Sequence, residues 1–396
     1  MVNILFIVEN NTVPPDIRVW REARTAKEAG YSVTLISPKN STFSKSYEVI
    51  DGIEIYRHPS MENRGGIISQ LIEYANASFW EVLLCLRIYF KKRFHIIHAA
   101  NPPDHIFFIA LLFKLLGVKF IFDHHDLAPE LYLSKFNGRK NMLFRALSLM
   151  EKLSCLTADA VISTNQSYKR HVIESHGINS EKIFIVRNDP EVPKTQESKR
   201  IGQDRNKHLT ELLYIGSINK QDGVDLLIKT VHILVNQLNQ KQICCTVVGD
   251  GGDLPRVKEL CTELCMDPYF NFTGYIYDRK KISTFINEAD ICLETAPHNA
   301  ANCKSTFIKV MEYMSAGKPT VAFDLDETRY SAADSALLIE PGNLREFAEA
   351  IKKLICEPNL REKLGKCGQN IIMESLNWDN AAKELRQAYA QVLRGM

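Results

Sequence analysis

The chain has 396 residues, 45% hydrophobic and 24% charged, with 49 basic against 47 acidic residues and a net charge of +2. That composition excludes a disordered chain, and so small a charge excludes a field that would gather nucleic acid as the main partner. The length suits two domains of roughly 200 residues each better than one core.

Ten cysteines are spread along the chain without a CxxC pair or a Cys/His zinc pattern. Cys261 and Cys265 sit four apart, but no second pair or nearby His completes a site. All ten read as reduced, mostly buried thiols, and no metal site is expected. The N-terminus, MVNILFIVENN, lacks the basic region and cleavage site of a signal peptide, and no apolar run is long and uncharged enough to span a bilayer. The expected location is the cytoplasm.

In chain order, Val2 to Val8 is a short apolar run bounded by Asn10 and Asn11, which predicts a buried strand. Asp16 through Gly30 has helical spacing in Ile17, Trp20, Ala23 and Ala26, and Gly30 ends the helix. Strands follow at Ser32 to Ser37 and Ile53 to Arg57, then a long helical stretch from Ile67 to Lys92. Ile96 to Ala100, Lys119 to Asp123, Ala160 to Ser163 and Ile183 to Arg187 complete the first set of strands. Pro193 to Lys207 is polar, charged and without apolar periodicity, the best linker in the chain.

The alternation then restarts. Strands are expected at Glu211 to Ile215, Cys244 to Gly249, Asn271 to Thr273, Ile291 to Glu294, Pro319 to Phe323 and Ala336 to Ile339. Helices are expected at Gly223 to Gln237, Leu254 to Cys265, Lys280 to Glu288, Leu344 to Ile355 and Leu360 to Ile372. The pattern is α/β: two doubly wound, Rossmann-like domains in tandem, facing a central cleft. Ligands of such sheets bind beyond the carboxyl ends of the strands, so the loops there are the places to look.

Three such loops lie in the second half. Gly216 to Gly223 and Gly249 to Gly252 resemble glycine turns that bring backbone amides near an anion, though an empty tight turn reads equally well. Thr295 to Gly317 is more informative. Ser305 and Thr306 are good helix caps, a helix is expected from Phe307 to Ala316, and Lys304 and Lys309 add charge beside its free amides. That combination suits a diphosphate, and Glu312 further along could accept two hydrogen bonds from a ribose diol. The competing reading of Lys309 and Glu312 is a surface i,i+3 ion pair of little weight.

The string KVMEYMSAGKPTVAFDL resembles the donor-binding segment of glycosyltransferase family 4, the retaining GT-B enzymes. DIRVWREARTAKEAGYSVTLIS, HAANPPDHIFFIALLFKLLGVKFIFDHHDLAPE, LLYIGSINKQDGVDLLIKT, VVGDGGDLPRV, FTGYI, DICLETAP and NWDNAAKELRQAYAQVL are similar to further family segments, in the family's order. The likeness spans nearly the whole chain. It implies an acceptor domain over residues 1–192, a linker over 193–207, a nucleotide-sugar domain over 208–377, and a helix over 378–396 returning to the first domain.

By the resemblance, Glu312 is the ribose-binding second Glu of a paired motif whose first Glu is replaced by Lys304. The Arg and Lys that many relatives carry on the first glycine loop are here Ser217 and Asp222. Diphosphate neutralisation then falls to Lys220, Lys304 and Lys309, with Arg187 a weaker candidate, while backbone at Tyr275 meets the base. Gly216, Ser217, Gly249, Ser305 and Thr306 complete the implied donor set. His125 matches the family's active-site His, next to His124. Asn101, Asp16 and Arg18 lie on the acceptor side, although Asp16 reads equally well as a helix N-cap. His125, Lys309 and Glu312 are the residues the resemblance assigns to catalysis.

The implied reaction is retaining transfer of a hexosyl or N-acetylhexosaminyl group from a nucleoside-diphosphate sugar, a UDP-sugar foremost, to a saccharide or polyprenyl-linked acceptor in cell-surface polysaccharide synthesis. It needs no metal and no cofactor beyond that co-substrate. Alternatives are a nucleotide-sugar epimerase of the same fold and a non-catalytic GT-B partner subunit. Phe79 to Phe94 and Ile106 to Leu116 are apolar enough for a peripheral membrane surface on the inner face, but the favoured reading is that both are buried helices.

Overall fold

The computed structural model describes residues 1–60, 67–136, 138–191 and 209–394. The expected linker over 193–207 lies outside the described residues. The chain forms two compact units: one from Met1–Leu133, Gly138–Asn188 and the stretch from Ala381 onward, the other from Asp189–Asn380 with a few residues from Ser134.

In the first unit, β1 (Asn3–Ile7), α1 (Ile17–Glu28), β2 (Ser32–Pro38), β3 (Tyr47–Ile50) and β4 (Ile53–His58) come first. Then follow α2 (Ile67–Lys91), β5 (Ile96–Ala100), α3 (Phe107–Lys114), β6 (Lys119–His124), α4 (Ala128–Lys135) and α5 (Met142–Thr157). β7 (Ala160–Ser163), α6 (Gln166–His176) and β8 (Ile183–Ile185) end the alternation. The sheet order is β3-β4-β2-β1-β5-β6-β7-β8, parallel except for the β3–β4 pair. Buried Leu5, Ile7, Ile97, Phe120, Phe122 and Val161 make the strand side of its core.

The β3–β4 hairpin is absent from the sequence expectation. Tyr47–Ile50 is a half-exposed edge strand, only four residues long. Its turn, Asp51-Gly52, carries positive φ at both residues (49° and 69°). An Asp-Gly pair before an alternating run is the strongest short hairpin signal, and it was legible here. The strand expected at Ile183 to Arg187 stops at Ile185.

The second unit contains β9 (Thr210–Ile215), α7 (Val224–Asn236), β10 (Ile243–Val248), α8 (Leu254–Glu263), β11 (Phe270–Gly274), α9 (Arg279–Glu288) and β12 (Ile291–Glu294). It continues through α10 (Ile308–Ser315), β13 (Thr320–Phe323), α11 (Asp326–Ala332), β14 (Ala336–Ile339), α12 (Leu344–Cys356) and α13 (Pro358–Glu374). Its sheet is wholly parallel, in the order β11-β10-β9-β12-β13-β14. The last helix, α14 (Trp378–Arg394), passes into the first unit, where the Tyr389 hydroxyl lies 2.8 Å from His98 Nδ1.

Helices α2 and α3 are not the wholly buried helices expected. Phe107, Ile109, Ala110 and Phe113 of α3 enter the core, but Phe108, Leu111 and Leu112 face outward, with Leu115 just beyond 87% exposed. Phe79, Leu83, Leu86 and Phe90 of α2 are likewise exposed. The apolar residues outnumber the positions one core face can take, so the excess lies on the surface. Among the described residues no helix is long and apolar enough to cross a membrane.

Candidate active site

Each sheet has one point where strand order reverses: between β1 and β5 in the first unit, and between β9 and β12 in the second. Loops leaving adjacent strands there diverge to opposite faces and open a crevice at the carboxyl edge. The candidate residues gather around these two points.

In the first unit, Asp16 is the N-cap of α1, its carboxylate accepting from Val19 N at 3.0 Å. Arg18 follows in the first turn and is buried. Its Nε and Nη2 donate to Asp123 Oδ2 and Oδ1 at 2.9 and 2.7 Å, and Nη1 donates to the Val186 carbonyl at 3.0 Å. Glu22 lies 3.1 Å away on the next turn. Arg18 is therefore a brace inside the unit and not the acceptor-facing residue expected. Burial and the Asp123 charge push Glu22 up to about 8, so it carries a proton at neutral pH.

Asp123, at the end of β6, joins two candidates the sequence left separate. Its Oδ2 also meets His125 Nδ1 at 3.1 Å. Burial alone would lower the imidazole, but the Asp123 charge and hydrogen bond outweigh it and lift His125 to about 9. His125 keeps 14% of its side chain exposed, whereas its neighbour His124 is fully buried. His124 points inward, its Nε2 2.7 Å from Glu151 Oε1, so of the two only His125 reaches the surface.

Asn101, at the end of β5, uses its whole amide within the protein. Oδ1 accepts from the backbone N–H groups of His125 and Asp126 at 2.8 and 3.0 Å. Nδ2 donates to Asp104 Oδ1 and the Asp126 carbonyl at 2.8 and 2.7 Å. With two donors and two lone pairs engaged, it positions the His125 loop and has no capacity left for an acceptor. Arg187 is buried in this unit.

In the second unit, glycines allow the loop after β9 to lie against its neighbours. Gly216 and Gly249 hold φ of 152° and 149°. A Cβ on Gly249 would stand 1.8 Å from the Gly216 carbonyl oxygen, and one on Gly223 would stand 2.0 Å from the Thr295 carbonyl. Their N–H groups are not the anion donors expected: Gly216 N donates to Val248 O at 3.0 Å and Gly249 N to Gly274 O at 3.1 Å. The glycines provide close approach only.

Lys309 supplies the charge at this edge. Its ammonium lies 2.7 Å from Glu294 Oε2, 4.1 Å from the Tyr214 ring centre, and 2.8 Å from where a Gly216 Cβ would be. Burial opposes the ammonium, but the Glu294 charge raises its pKa further, so it is a permanent cation. Glu294 itself is fixed by accepting from Ala296 N at 2.9 Å. The i,i+3 reading of Lys309 with Glu312 fails, because Glu312 instead pairs with the exposed Arg279 at 3.2 Å.

Ser305 and Thr306 do not cap α10. The N-cap is Phe307, with no side-chain cap hydrogen bond, and Ser305 Oγ donates back to the Ala301 carbonyl at 2.8 Å. The first turn of α10 thus starts without a side-chain acceptor on its amides. Lys304, Ser305 and Thr306 lie half-buried in the loop before it. Ser217 and Lys220 are exposed on the β9 loop. Tyr275 is exposed after β11, its ring edge-to-face with Tyr277 at 4.5 Å.

Sequence reasoning missed Asp123 and Glu294 as partners. Both are acids ending an apolar strand run, FIFD and ICLE, at the edge where ligands bind, and that position was the available signal.

Residues 17–188 match the family described as Glycosyltransferase Family 4, and residues 210–357 match Glycosyl transferases group 1. The chain is similar to an uncharacterized glycosyltransferase of Methanocaldococcus jannaschii, 25% identical over 381 residues, spanning 93% of this chain and 92% of that one. Among solved structures it is similar to sucrose-phosphate synthase from Thermosynechococcus elongatus, with a TM-score of 0.81 and 16% identity over the full length of both. It is also similar to Anabaena HepE in complex with UDP and glucose, with a TM-score of 0.71 and 15% identity over the full length of both.

Proposed function

The chain belongs to the family 4 type of glycosyltransferase and has the GT-B fold, and on that premise we propose that it transfers a hexosyl or N-acetylhexosaminyl group, with retention, from a UDP-sugar. The acceptor is a saccharide or polyprenyl-linked saccharide of cell-surface polysaccharide synthesis. The observation that carries this reading is Lys309, a half-buried permanent cation held against the Gly216 turn at the switch point, beside an α10 start with no side-chain cap. The UDP of the Anabaena complex supports the choice of nucleotide.

In the reaction, the bond from the anomeric carbon to the diphosphate oxygen breaks through an oxocarbenium-like state. A bond to the acceptor oxygen forms on the same face, and the acceptor proton leaves with the nucleoside diphosphate. Charge growing on the leaving oxygen is met by Lys309 and the first amides of α10, with Lys304 and Lys220 alongside, so no divalent ion is needed. Glu312 takes the ribose diol, exchanging its Arg279 partner for the two hydroxyls. His125, cationic and oriented by Asp123, donates a hydrogen bond to the sugar or acceptor.

The outward apolar residues of α2 and α3, with the exposed Arg87 on α2, support a lipid-linked acceptor and a peripheral membrane contact through the first unit. Co-sedimentation with anionic vesicles should fall sharply in Phe90→Ser/Leu115→Ser; equal binding would remove the membrane contact from this reading.

The decisive test is thermal stabilisation by a panel of nucleoside diphosphates and nucleotide sugars. UDP at about a thousandfold over its Kd should stabilise by about 4 kcal/mol. The effect should fall by at least about 1.4 kcal/mol in Glu312→Ala and persist in EDTA. No stabilisation by any nucleotide would replace the enzyme reading with a non-catalytic partner.

A further inference from the structure

One buried cluster takes no part in the chemistry above. Glu151 projects from α5 into the interior of the first unit and is buried. Three histidine nitrogens converge on its carboxylate. His176 Nε2 lies 2.7 Å and His171 Nε2 3.3 Å from Oε2, while His124 Nε2 lies 2.7 Å from Oε1. Among the described residues every ion-pair partner of Glu151 is a histidine. These hydrogen bonds hold the carboxyl well below its usual range against the opposing effect of burial, so it is ionised.

We infer that Glu151, His171 and His176 form a binding site for a divalent transition cation of the zinc type, with His124 hydrogen-bonded to the liganding carboxylate. Three observations favour a metal over a purely hydrogen-bonded cluster. The first is distance. Glu151 Oε2 and one ring nitrogen from each of His171 and His176 lie within 4.8 Å of one another. A tetrahedral zinc with bonds near 2.05 Å has ligand–ligand edges of about 3.3 Å, which the His171 edge already shows. The 2.7 Å His176 contact is a hydrogen bond whose proton the metal replaces, opening that edge by about 0.6 Å.

The second is the outer shell. Zinc-liganding histidines characteristically give their other ring N–H to a carboxylate, which fixes tautomer and ring orientation. His171 Nδ1 lies 3.3 Å from Glu130 Oε1 of a different helix, α4, and also 3.3 Å from Ser175 Oγ on its own helix, so the carboxylate shares that nitrogen with a hydroxyl. The third is contrast with the other cluster that has metal-ligand spacing, Glu22, His98 and Asp123. There the cationic place is filled by Arg18, bidentate on Asp123. At Glu151, among the described residues, no Lys or Arg pairs with the carboxylate, and the donor set of two imidazoles and one carboxylate suits zinc.

The consequence is structural. Metal on Oε2 leaves Oε1 to hold His124, the residue before His125 at the end of β6. The cation would tie α5 and α6 to the strand that presents the acceptor-side histidine.

The test uses the full-length protein equilibrated with zinc and then gel-filtered into metal-free buffer. Metal analysis should find about one zinc per chain in the wild type and under about a tenth in His171→Ala and in His176→Ala, with His298→Ala unchanged. Far-UV circular dichroism establishes that each variant is folded. Where a His→Ala chain is unfolded, His171→Gln is read in its place. Cobalt substitution should give the intense visible bands of a four-coordinate site without thiolate charge-transfer absorption, which separates this site from zinc on the cysteines. Wild-type protein that retains no zinc would overturn the proposal, as would folded histidine variants that retain it in full.

Discussion

Arg18→Met tests the brace beneath His125. The substitution keeps an apolar stem of similar length and removes a guanidinium that gives Asp123 two charge-assisted hydrogen bonds, at 2.9 and 2.7 Å. Asp123 is fully buried, so its carboxylate must then either stay ionised without that partner or take up a proton. From an ordinary pKa near 4, protonation at pH 7 costs about 4 kcal/mol, which caps the loss, and the His125 imidazolium at 3.1 Å trims it. The expected destabilisation is roughly 3 kcal/mol, a fall in Tm of about 6 to 12 °C for a unit of this size. In the wild type the Arg18 charge holds Asp123 well below the usual carboxylate range despite burial, so Asp123 adds stability above its ordinary pKa that is lost as pH falls. Without Arg18 the sign reverses, and the penalty should shrink by up to about 1.4 kcal/mol per pH unit between pH 7 and 5. Urea unfolding at both pH values reads this directly, and Asp123→Asn in the Arg18→Met background should recover at least about 2 kcal/mol as a coupling energy. A penalty independent of pH, or effects of the two substitutions that simply add, would refute the reasoning.

Other outcomes follow from the same geometry. His125, lifted to about 9, contributes about 3 kcal/mol that is complete below pH 6.5 and lost as pH rises through 9; His125→Gln should flatten that decline in a pH series of melts. Gly249→Ala forces a Cβ to 1.8 Å from the Gly216 carbonyl, whereas Gly342→Ala, also at positive φ, meets nothing within 4 Å. The first should cost more than about 3 kcal/mol and abolish nucleotide binding; the second should cost about 1 and leave binding intact. Lys309→Met strands Glu294, which is 2% exposed, and should cost about 3 kcal/mol, largely restored by adding Glu294→Gln. Glu312→Gln breaks only a half-exposed pair with Arg279, so calorimetry should show UDP binding weakened tenfold or more while Tm moves little.

Strand positions were legible because fully parallel, two-face-buried strands read as short apolar runs, as at Ile96–Ala100, Ala160–Ser163 and Ile291–Glu294. β3 was overlooked because it is a four-residue edge strand with no fully buried position, although the Asp51-Gly52 turn after it carried the signal. The exposed faces of α2 and α3 were misjudged for a related reason: apolar content shows that a helix avoids water, not how much core is available to receive it. The candidate site was legible in position and illegible in pairing. Arg18, Asp123 and His125 are far apart in sequence or adjacent without evident relation, and only the sheet order β1-β5-β6, which places α1 near the end of β6, joins them. Asn101 was placed on the right edge with the wrong role, since nothing local shows that its amide is consumed by the backbone of His125 and Asp126.

The two switch points use one arrangement with two outcomes. In each unit a cation occupies the second position of the helix at the switch point, Arg18 in α1 and Lys309 in α10. A cation there opposes the helix dipole, so it needs a carboxylate, and in both units that comes from the end of a parallel strand, Asp123 or Glu294. The first unit adds Glu22 and a carbonyl, leaving Arg18 5% exposed with its fork committed on both edges. The second adds one carboxylate and an aromatic face, leaving Lys309 14% exposed and its helix start free of a side-chain cap. An incoming diphosphate can share the Lys309 ammonium with Glu294 and take the α10 amides, whereas it could reach Arg18 only by displacing a bidentate pair. On the proposed function that difference sets the direction of the reaction: an anionic leaving group is expected on the second unit, while the first unit's charge is committed to the Arg18–Asp123–His125 contacts.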